Sequence, residues 1–187
     1  MSEAATTDLL LTVVDYNPEW AELFRQLGSR LRAALGEVAL RIDHTGSTAV
    51  PGLVAKPIID VQISVVSLEP VGPFREPLEE SGFVWRPDNP ERTKRYFRER
   101  PGERRTHVHV RRVGTFSEQF ALLFRDYLRM HPEIASEYAE LKRHLAPLLA
   151  TDRHAYTDAK EPFVWHVIRQ ADAWAQHTGW EPPRSDA

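Results

Sequence analysis

Hydrophobic residues recur with two different periods along this chain. After Asn17-Pro18, a pair typical of helix starts, they recur every three or four residues until Gly36, which predicts an N-terminal helix. Between residues 38 and 113 the pattern changes to short β-branched or alternating runs, which are typical of strands. The pattern predicts strands at residues 9–16, 38–42, 57–66, 83–85 and 106–113, a helix at 70–82, and a hairpin with a Pro-Gly turn at 101–102.

After residue 116 the hydrophobic residues again recur every three or four positions, as in a helix. The pattern predicts three helices: one from Ser117, one from Pro132 to about Leu149, and one from Asp158 to Trp174. Strands followed by helices favour an α+β fold with an antiparallel or mixed sheet. We expect one domain over residues 1–187, with a sheet-containing core at 9–115, a helical part at 116–176, and tails at 1–8 and 177–187.

Composition narrows the class of protein. The 187 residues are 42% hydrophobic and 27% charged with a net charge of −3, values typical of a globular domain. The absence of cysteine excludes disulfides, thiolate catalysis and cysteine-type zinc sites. The apolar run at 9–14 is far shorter than the roughly 20 residues that a membrane span needs. We therefore expect a soluble, cytoplasmic protein that has no membrane partner.

The segment HTGSTAVPGL, at residues 44–53, contains the first candidate site. A Gly-Ser pair after a strand offers free N–H groups to a phosphate, and the hydroxyls of Ser47 and Thr48 add donors. Asp60 follows in an otherwise apolar strand, where a carboxylate costs desolvation energy unless it meets a cation. The alternative is an ordinary helix cap followed by an edge-strand aspartate.

Three blocks of the chain carry a family resemblance. HTGSTAVPGLVAKPIIDV, FRDYLRMHPEIASEYAELKRHLA and RHAYTDAKEPFV, in this order, closely resemble the GrpB family (UPF0157-type), over about Val13 to Trp174. This family is also found fused to dephospho-CoA kinase, and it resembles the nucleotidyltransferases. The resemblance implies a nucleotidyltransferase-like (polymerase-β-like) mixed sheet flanked by helices, with a helical C-terminal layer.

The resemblance also implies roles for residues. In nucleotidyltransferases a Gly-Ser pair holds the nucleotide phosphates, and two carboxylates at alternate strand positions hold divalent metal. Gly46 and Ser47 match the pair, and Asp60 matches the first carboxylate. Gln62 stands at the second position, and a neutral amide binds Mg²⁺ less well than a carboxylate does. The candidate binding residues of this stretch are His44, Gly46, Ser47, Thr48, Lys56 and Gln62.

His107 and His109 form a second constellation. Residues two apart in a strand point to the same face, so both imidazoles face one side, and we expect Asp60 on a neighbouring strand to share that face. Two histidines and an aspartate suit Zn, Mn or Fe better than Mg. These three residues are the candidate catalytic and metal-binding groups, with either histidine as ligand or general base. The alternative is a hydrogen-bonded pair on a half-exposed strand.

Basic residues supply the remaining candidates. By resemblance, Lys142 or Lys160 reaches the distal phosphate, and the motif match also makes Tyr156 a candidate binding residue; the alternative for each lysine is a surface position. Residues 94–112 contain eight lysines and arginines, but we expect nearby glutamates to neutralise much of their charge. We therefore do not expect nucleic acid as a partner.

Two functions follow from these residues. The first is an enzyme that transfers a nucleotidyl group to a small acceptor, with a divalent metal (Mg, Mn or Zn) and a nucleotide or other phosphorylated small molecule. The second is a catalytically degenerate module that binds a nucleotide or coenzyme and regulates a partner, which Gln62 favours. A carboxylate and two histidines within coordination distance would favour the enzyme.

Overall fold

The computed structural model describes residues 12–187. The predicted tail at 1–8 and the first residues of the predicted strand at 9–16 lie outside this range. Within it, Val14 forms one antiparallel bridge with Ala55, in which each N–H donates to the other carbonyl at 2.9 Å. This bridge ties the start of the described chain to the loop before the second strand.

The sheet-containing part has two helices and five strands. They are α1 (Glu19–Leu35), β1 (Arg41–Thr45), β2 (Ile59–Val65), α2 (Gly72–Glu80), β3 (Phe83–Trp85), β4 (Lys94–Glu99) and β5 (Thr106–Arg112). Two single 3₁₀ turns, Gly36–Val38 and Ser47–Ala49, flank β1. The strand predicted at 38–42 therefore begins at Arg41 instead, because the chain first completes a turn after α1.

The five strands form one mixed sheet in the order β1-β2-β5-β4-β3. The central pair, β2 and β5, is parallel, and every other pair is antiparallel. The register places Asp60 between Thr45 on β1 and His107 on β5, and it places Gln62 opposite His109. The prediction that the strand near His44 lies beside the strand of Asp60 is confirmed.

The two faces of the sheet differ in polarity. Ile59, Val61 and Ile63 point into a core that also contains apolar side chains of α1 and α2. Asp60, Gln62 and Ser64 alternate with them and so point to the opposite face. The central strand therefore has one apolar and one polar face, and the candidate site is on the polar one.

Four helices follow the sheet, one more than predicted. They are α3 (Phe116–Met130), α4 (Pro132–Leu145), the single turn α5 (Leu148–Thr151) and α6 (Arg153–Thr178). The predicted start of the last helix, at Asp158, is wrong. The Asp152 carboxylate caps the helix by accepting from the N–H groups of His154 and Ala155 at 2.9 and 3.0 Å. Lys160 therefore lies inside α6 and not at its start.

A second apolar core joins these helices to the loop after β1. It includes Val50, Leu53 and Val54 from the loop, together with side chains of α3, α4 and α6. The segment after α6 returns to the sheet, where Ser185 and Ala187 hydrogen-bond with Ile42 on the outer edge of β1. Within residues 12–187, no helix has the length and hydrophobicity needed to cross a bilayer.

Candidate functional site

Asp60, His107 and His109 meet at the centre of the sheet's polar face. His107 Nδ1 lies 3.1 Å from Asp60 Oδ1, and His109 Nε2 lies 3.5 Å from the same oxygen. One ligand atom from each residue can be chosen so that all three lie within 4.8 Å of one another. The parallel pairing of β2 with β5 brings them together, because it sets Asp60 beside His107 and the two-residue period carries His109 to the same face.

The protonation of this cluster follows from its contacts. Burial by itself raises the pKa of Asp60, but hydrogen bonds with His107 and His109 outweigh it and hold that pKa below the usual range. Burial lowers the pKa of His109. An ionised Asp60 accepts hydrogen bonds, so each histidine donates from the nitrogen that faces it. Their other ring nitrogens, Nε2 of His107 and Nδ1 of His109, are buried and have no partner within residues 12–187.

Gly46 makes room for the Asp60 carboxylate. Its φ of +69° lies in the left-handed region, and a Cβ placed on it would come within 2.4 Å of Asp60 Oδ2. A side chain at residue 46 is therefore excluded both by backbone conformation and by contact. The Gly-Ser pair and the aspartate are thus parts of one site.

Two buried side chains, His44 and Thr48, hold the turn after Gly46 in place. The Thr48 hydroxyl donates to the Ile58 carbonyl at 3.1 Å, and His44 Nε2 lies 3.0 Å from the same hydroxyl oxygen. The His44 ring stacks on Phe24, with centroids 4.7 Å apart. Burial lowers the pKa of His44 to about 4, so the ring is neutral. His44 and Thr48 hold the turn, whereas Ser47 is half-buried and lines the cleft.

A cleft of about 280 Å³ opens beside the Asp60 cluster. Its walls include Gly46, Ser47 and Thr48, together with Lys56, Asp60, His107 and Lys160. Among the described residues the structure records no protein acceptor for the N–H groups of Ser47 and Thr48. This turn, a single 3₁₀ turn over Ser47–Ala49, therefore presents hydrogen-bond donors to the cleft.

Two ammonium groups lie over one tyrosine ring at this cleft. Lys160 Nζ is 4.2 Å and Lys56 Nζ is 5.3 Å from the centroid of Tyr156, which is buried. Neither lysine has a carboxylate partner within 4.0 Å in the described chain. Burial and the charge of Lys56 lower the pKa of Lys160 to about 8. The cleft therefore carries more positive charge than Asp60 alone balances.

Lys142 lies behind these two lysines. It is 2% exposed, its ammonium group donates to the Val54 carbonyl, and it lies 4.5 Å from the centroid of the Tyr138 ring. Burial, followed by the charges of Lys160 and Lys56, lowers its pKa to about 6. Lys142 does not line the cleft, so it is placed one layer behind the surface that a ligand would touch.

Comparison with known proteins assigns this arrangement to a family. A family model described as GrpB protein matches residues 10–170. The chain belongs to the GrpB family. It is 38% identical to UPF0157 protein YqkA of Bacillus subtilis (strain 168) over 162 residues, which cover 87% of this chain and 47% of that protein. The chain spans about half the length of several curated relatives that it matches.

Solved structures extend the comparison to the fold. The crystal structure of GrpB from Enterococcus faecalis matches with a TM-score of 0.77 and 34% identity, covering 87% of this chain and 99% of that one. The Cid1 poly(U) polymerase, in a structure titled as bound to Mg 3′-dATP, matches with a TM-score of 0.51 and 13% identity, covering 79% of this chain and 48% of that one. The GrpB chain thus has a nucleotidyltransferase-like fold.

Gln62 occupies the second carboxylate position in this GrpB chain. Its side chain is buried, and its amide nitrogen donates to the Glu118 carbonyl at 3.1 Å. Ser64, two residues on, donates to the Glu118 carboxylate at 2.7 Å. The polar positions after Asp60 on β2 therefore bind the start of α3, and the described site has one carboxylate.

Sequence reasoning named Tyr156 but missed Tyr96 and Tyr138, two further aromatic side chains near the site. The Tyr96 ring lies 5.6 Å from that of His107 and 5.2 Å from that of His109, and so covers the cluster on the β4 side. The hairpin register, which pairs Tyr96 with His109, was the available signal. For Lys142 and Lys160 the signal was a tyrosine four residues earlier in each helix, at Tyr138 and Tyr156.

The basic residues of the hairpin region are mostly paired with glutamates. Glu99 contacts Arg98 and Arg105, and Glu91 contacts Lys94 and Arg111, all within 3.0 Å. This pairing agrees with the expectation that glutamates neutralise much of the basic charge.

Proposed function

We propose that this protein is a metal-dependent enzyme of the nucleotidyltransferase type that acts on a phosphorylated small molecule. Asp60, His107 and His109 hold a divalent cation, and the turn at Gly46–Thr48 holds phosphate oxygens together with Lys56 and Lys160. The observation that carries the proposal is that Asp60 and His107 of the Asp-His-His cluster line one cleft together with Lys56 and Lys160, which have no carboxylate partner within residues 12–187.

The donor set fits a cation of the Zn or Mn type. Imidazole nitrogens and one carboxylate are common ligands of these metals, whereas Mg²⁺ prefers oxygen ligands. Each histidine also has a second ring nitrogen, Nε2 of His107 and Nδ1 of His109, that forms no hydrogen bond within residues 12–187. Neither ring is therefore fully committed to contacts inside the described chain. Such a cation polarises a bound phosphate or lowers the pKa of a bound water.

The side chains of the cleft bind and orient the substrate. Ser47 and the N–H groups of the turn donate to phosphate oxygens, and the two lysines balance their charge. The contact with Asp60 fixes the orientation of the His107 ring, which serves as a ligand of the cation. The substrate is a small phosphorylated compound or nucleotide, since the cleft measures about 280 Å³.

A calorimetric metal titration tests the proposal. Zn²⁺ and Mn²⁺ are titrated separately into the wild type, Asp60→Asn and His109→Ala, with His177→Ala as the matched control because His177 is exposed in the last turn of α6. We expect both site variants to bind the preferred metal at least about 100-fold more weakly, because each loses a ligand, and the control to match the wild type. Equal affinity in all four proteins would contradict the metal site.

Gln62 favours a second candidate, a regulatory module that binds a nucleotide or coenzyme without catalysis. Its amide donates to α3, so β2 supplies one carboxylate where an active nucleotidyltransferase supplies two. Under this alternative the cleft binds the anion and no cation adds to the affinity. The metal titration distinguishes the two functions, since only the enzyme requires Asp60 and His109 as ligands.

A further inference from the structure

Lys142 is a buried ionisable group to which the proposed function gives no role. It does not line the cleft, yet the two charged groups that act on it most strongly are the lysines that do. Its side chain contacts the Val54 carbonyl and the Tyr138 ring, and in the described chain it has no carboxylate partner within 4.0 Å. A fully buried ammonium group without an anion is an unfavourable arrangement, which a free amine avoids.

The groups that face Lys142 come from three elements. The loop before β2 contributes Lys56 and the Val54 carbonyl, α6 contributes Lys160, and α4 itself contributes Tyr138 and Arg143. The ionisable groups among them are therefore cations or a tyrosine. Their charges and the burial of the side chain favour the neutral amine, so the protonation of Lys142 depends on whether the neighbouring lysines are neutralised.

We propose that Lys142 is a proton-uptake site coupled to the cleft: an anion that binds at Lys56 and Lys160 draws a proton from solvent onto the Lys142 amine. This inference rests on the anion-binding part of the proposed function. The bound anion offsets the two charges that repel the ammonium form. By reciprocity, protonation of Lys142 then strengthens anion binding, so the protein binds the anion more tightly at lower pH.

The composition of the chain allows a site-specific measurement. The chain has only four lysines, at positions 56, 94, 142 and 160. Lys94 is an internal control, because it pairs with Glu91 at 2.6 Å and does not line the cleft. Lysine labelled with ¹³C at Cε gives one NMR signal for each residue, and each signal reports its own titration. This matters because several ionisable groups line the cleft, so an affinity profile alone cannot assign a pH dependence to Lys142.

The probe is sulfate, whose own ionisation lies far below the pH range used. The four signals are followed from pH 5 to 10 in sodium sulfate and in sodium chloride of equal ionic strength. We expect saturable shifts of Lys56 and Lys160 in sulfate, an increase of about one unit in the pKa of Lys142, and no change at Lys94. A one-unit increase corresponds to about tenfold tighter sulfate binding at pH 5 than at pH 8 through this residue.

Lys142→Met provides the matched variant, since methionine fills the apolar site without a charge. We expect it to bind sulfate within twofold of the wild type at pH 8 and to lose the Lys142-dependent part of the gain at lower pH. If Lys56 and Lys160 respond to sulfate but the Lys142 titration does not move, the coupling is wrong and the anion site stands. If no lysine responds, both the anion site and the coupling are wrong. If the variant folds poorly, the wild-type titration still decides between these outcomes.

Discussion

Two buried cations of this protein, Arg125 and Lys142, have opposite surroundings. Arg125 on α3 is 1% exposed and contacts Asp126 at 2.7 Å, Asp186 at 2.8 Å and the His44 carbonyl at 2.9 Å. Lys142 on α4 is 2% exposed and contacts one carbonyl and one aromatic ring. The two side chains are about equally buried, but only Arg125 has carboxylates next to it.

The pKa values of the two groups respond in opposite directions. Burial by itself lowers the pKa of Arg125, but the hydrogen bond with Asp126 and the nearby carboxylates raise it above its usual value. Burial and two neighbouring lysines lower the pKa of Lys142 to about 6. The Arg125 network therefore holds a permanent charge, whereas Lys142, Lys56 and Lys160 have no carboxylate partner within 4.0 Å in the described chain.

This difference separates structure from function. A buried charge whose partners are all within the chain ties elements together: Arg125 links α3 to β1 and to the segment after α6. A group of cations without partners in the described chain adds nothing to stability, and it lies where a ligand's anion would supply the missing charge. Arg125 therefore belongs to the scaffold, Lys56 and Lys160 to the binding site, and Lys142 to the layer behind that site.

The largest expected effect is on stability, when each cation is replaced by methionine. Arg125→Met removes the cation that both Asp126 and Asp186 contact most closely, and we expect it to lower the free energy of unfolding by about 3–5 kcal/mol. Lys142→Met removes a buried amine that has no carboxylate partner in the described chain and that must lose its proton on folding, so we expect it to leave that energy unchanged or to raise it near pH 7. Urea unfolding followed by circular dichroism measures the free energy of unfolding of both variants. Equal losses in the two variants would contradict the proposed difference between Arg125 and Lys142.

A smaller effect is expected in the pH dependence of stability. The pKa of Lys142 is about 6 in the folded protein and about 10.4 in the unfolded chain, so between these values the unfolded state binds one more proton. Stability therefore rises with pH, by at most about 1.4 kcal/mol per unit and by about 2–3 kcal/mol from pH 7 to 9.

Lys160 and other groups titrate in the same range, so the quantity to measure is the difference between wild type and Lys142→Met. Urea unfolding at pH 7, 8 and 9 should give a shallower increase for the variant. Parallel curves for the two proteins would mean that Lys142 keeps an ordinary pKa in the folded state.

Much of the fold could be predicted from the sequence, because patterning acts locally. Alternating and β-branched runs identified the central strands, and the resemblance of the Gly46-Ser47 segment to nucleotidyltransferases placed Asp60 on a strand beside β1. The start of α6 was misplaced because Asp152, an exposed capping residue, lies outside the apolar pattern. A cap of this kind depends on two backbone N–H groups and leaves no trace in hydrophobic periodicity.

The candidate site could be predicted only in part. Strand periodicity placed His107 and His109 on one face, but their contact with Asp60 depends on a parallel register that no local pattern specifies. The burial of Lys142 was not predicted either, since a lysine in a helix is normally exposed and its environment comes from three separate elements. The contrast between Arg125 and Lys142 therefore required the tertiary structure.

The smallest expected effect concerns Asp186, which lies between the Arg125 network and the candidate anion site. Asp186 accepts hydrogen bonds from the His44 N–H at 2.9 Å and from Arg125 at 2.8 Å, next to the turn at Gly46. Asp186→Asn keeps an acceptor oxygen and removes the charge, and Arg125 retains Asp126, so we expect a loss of about 1 kcal/mol in unfolding free energy. Asp172→Asn is the control, because Asp172 is exposed on α6 and accepts a hydrogen bond from Gln176 on the same helix. Sulfate affinity, read from the Lys160 signal, should stay within twofold of the wild type in both variants. A fall of more than fivefold in Asp186→Asn alone would show that the paired network positions the anion site through β1, and the scaffold and the site would then be one unit.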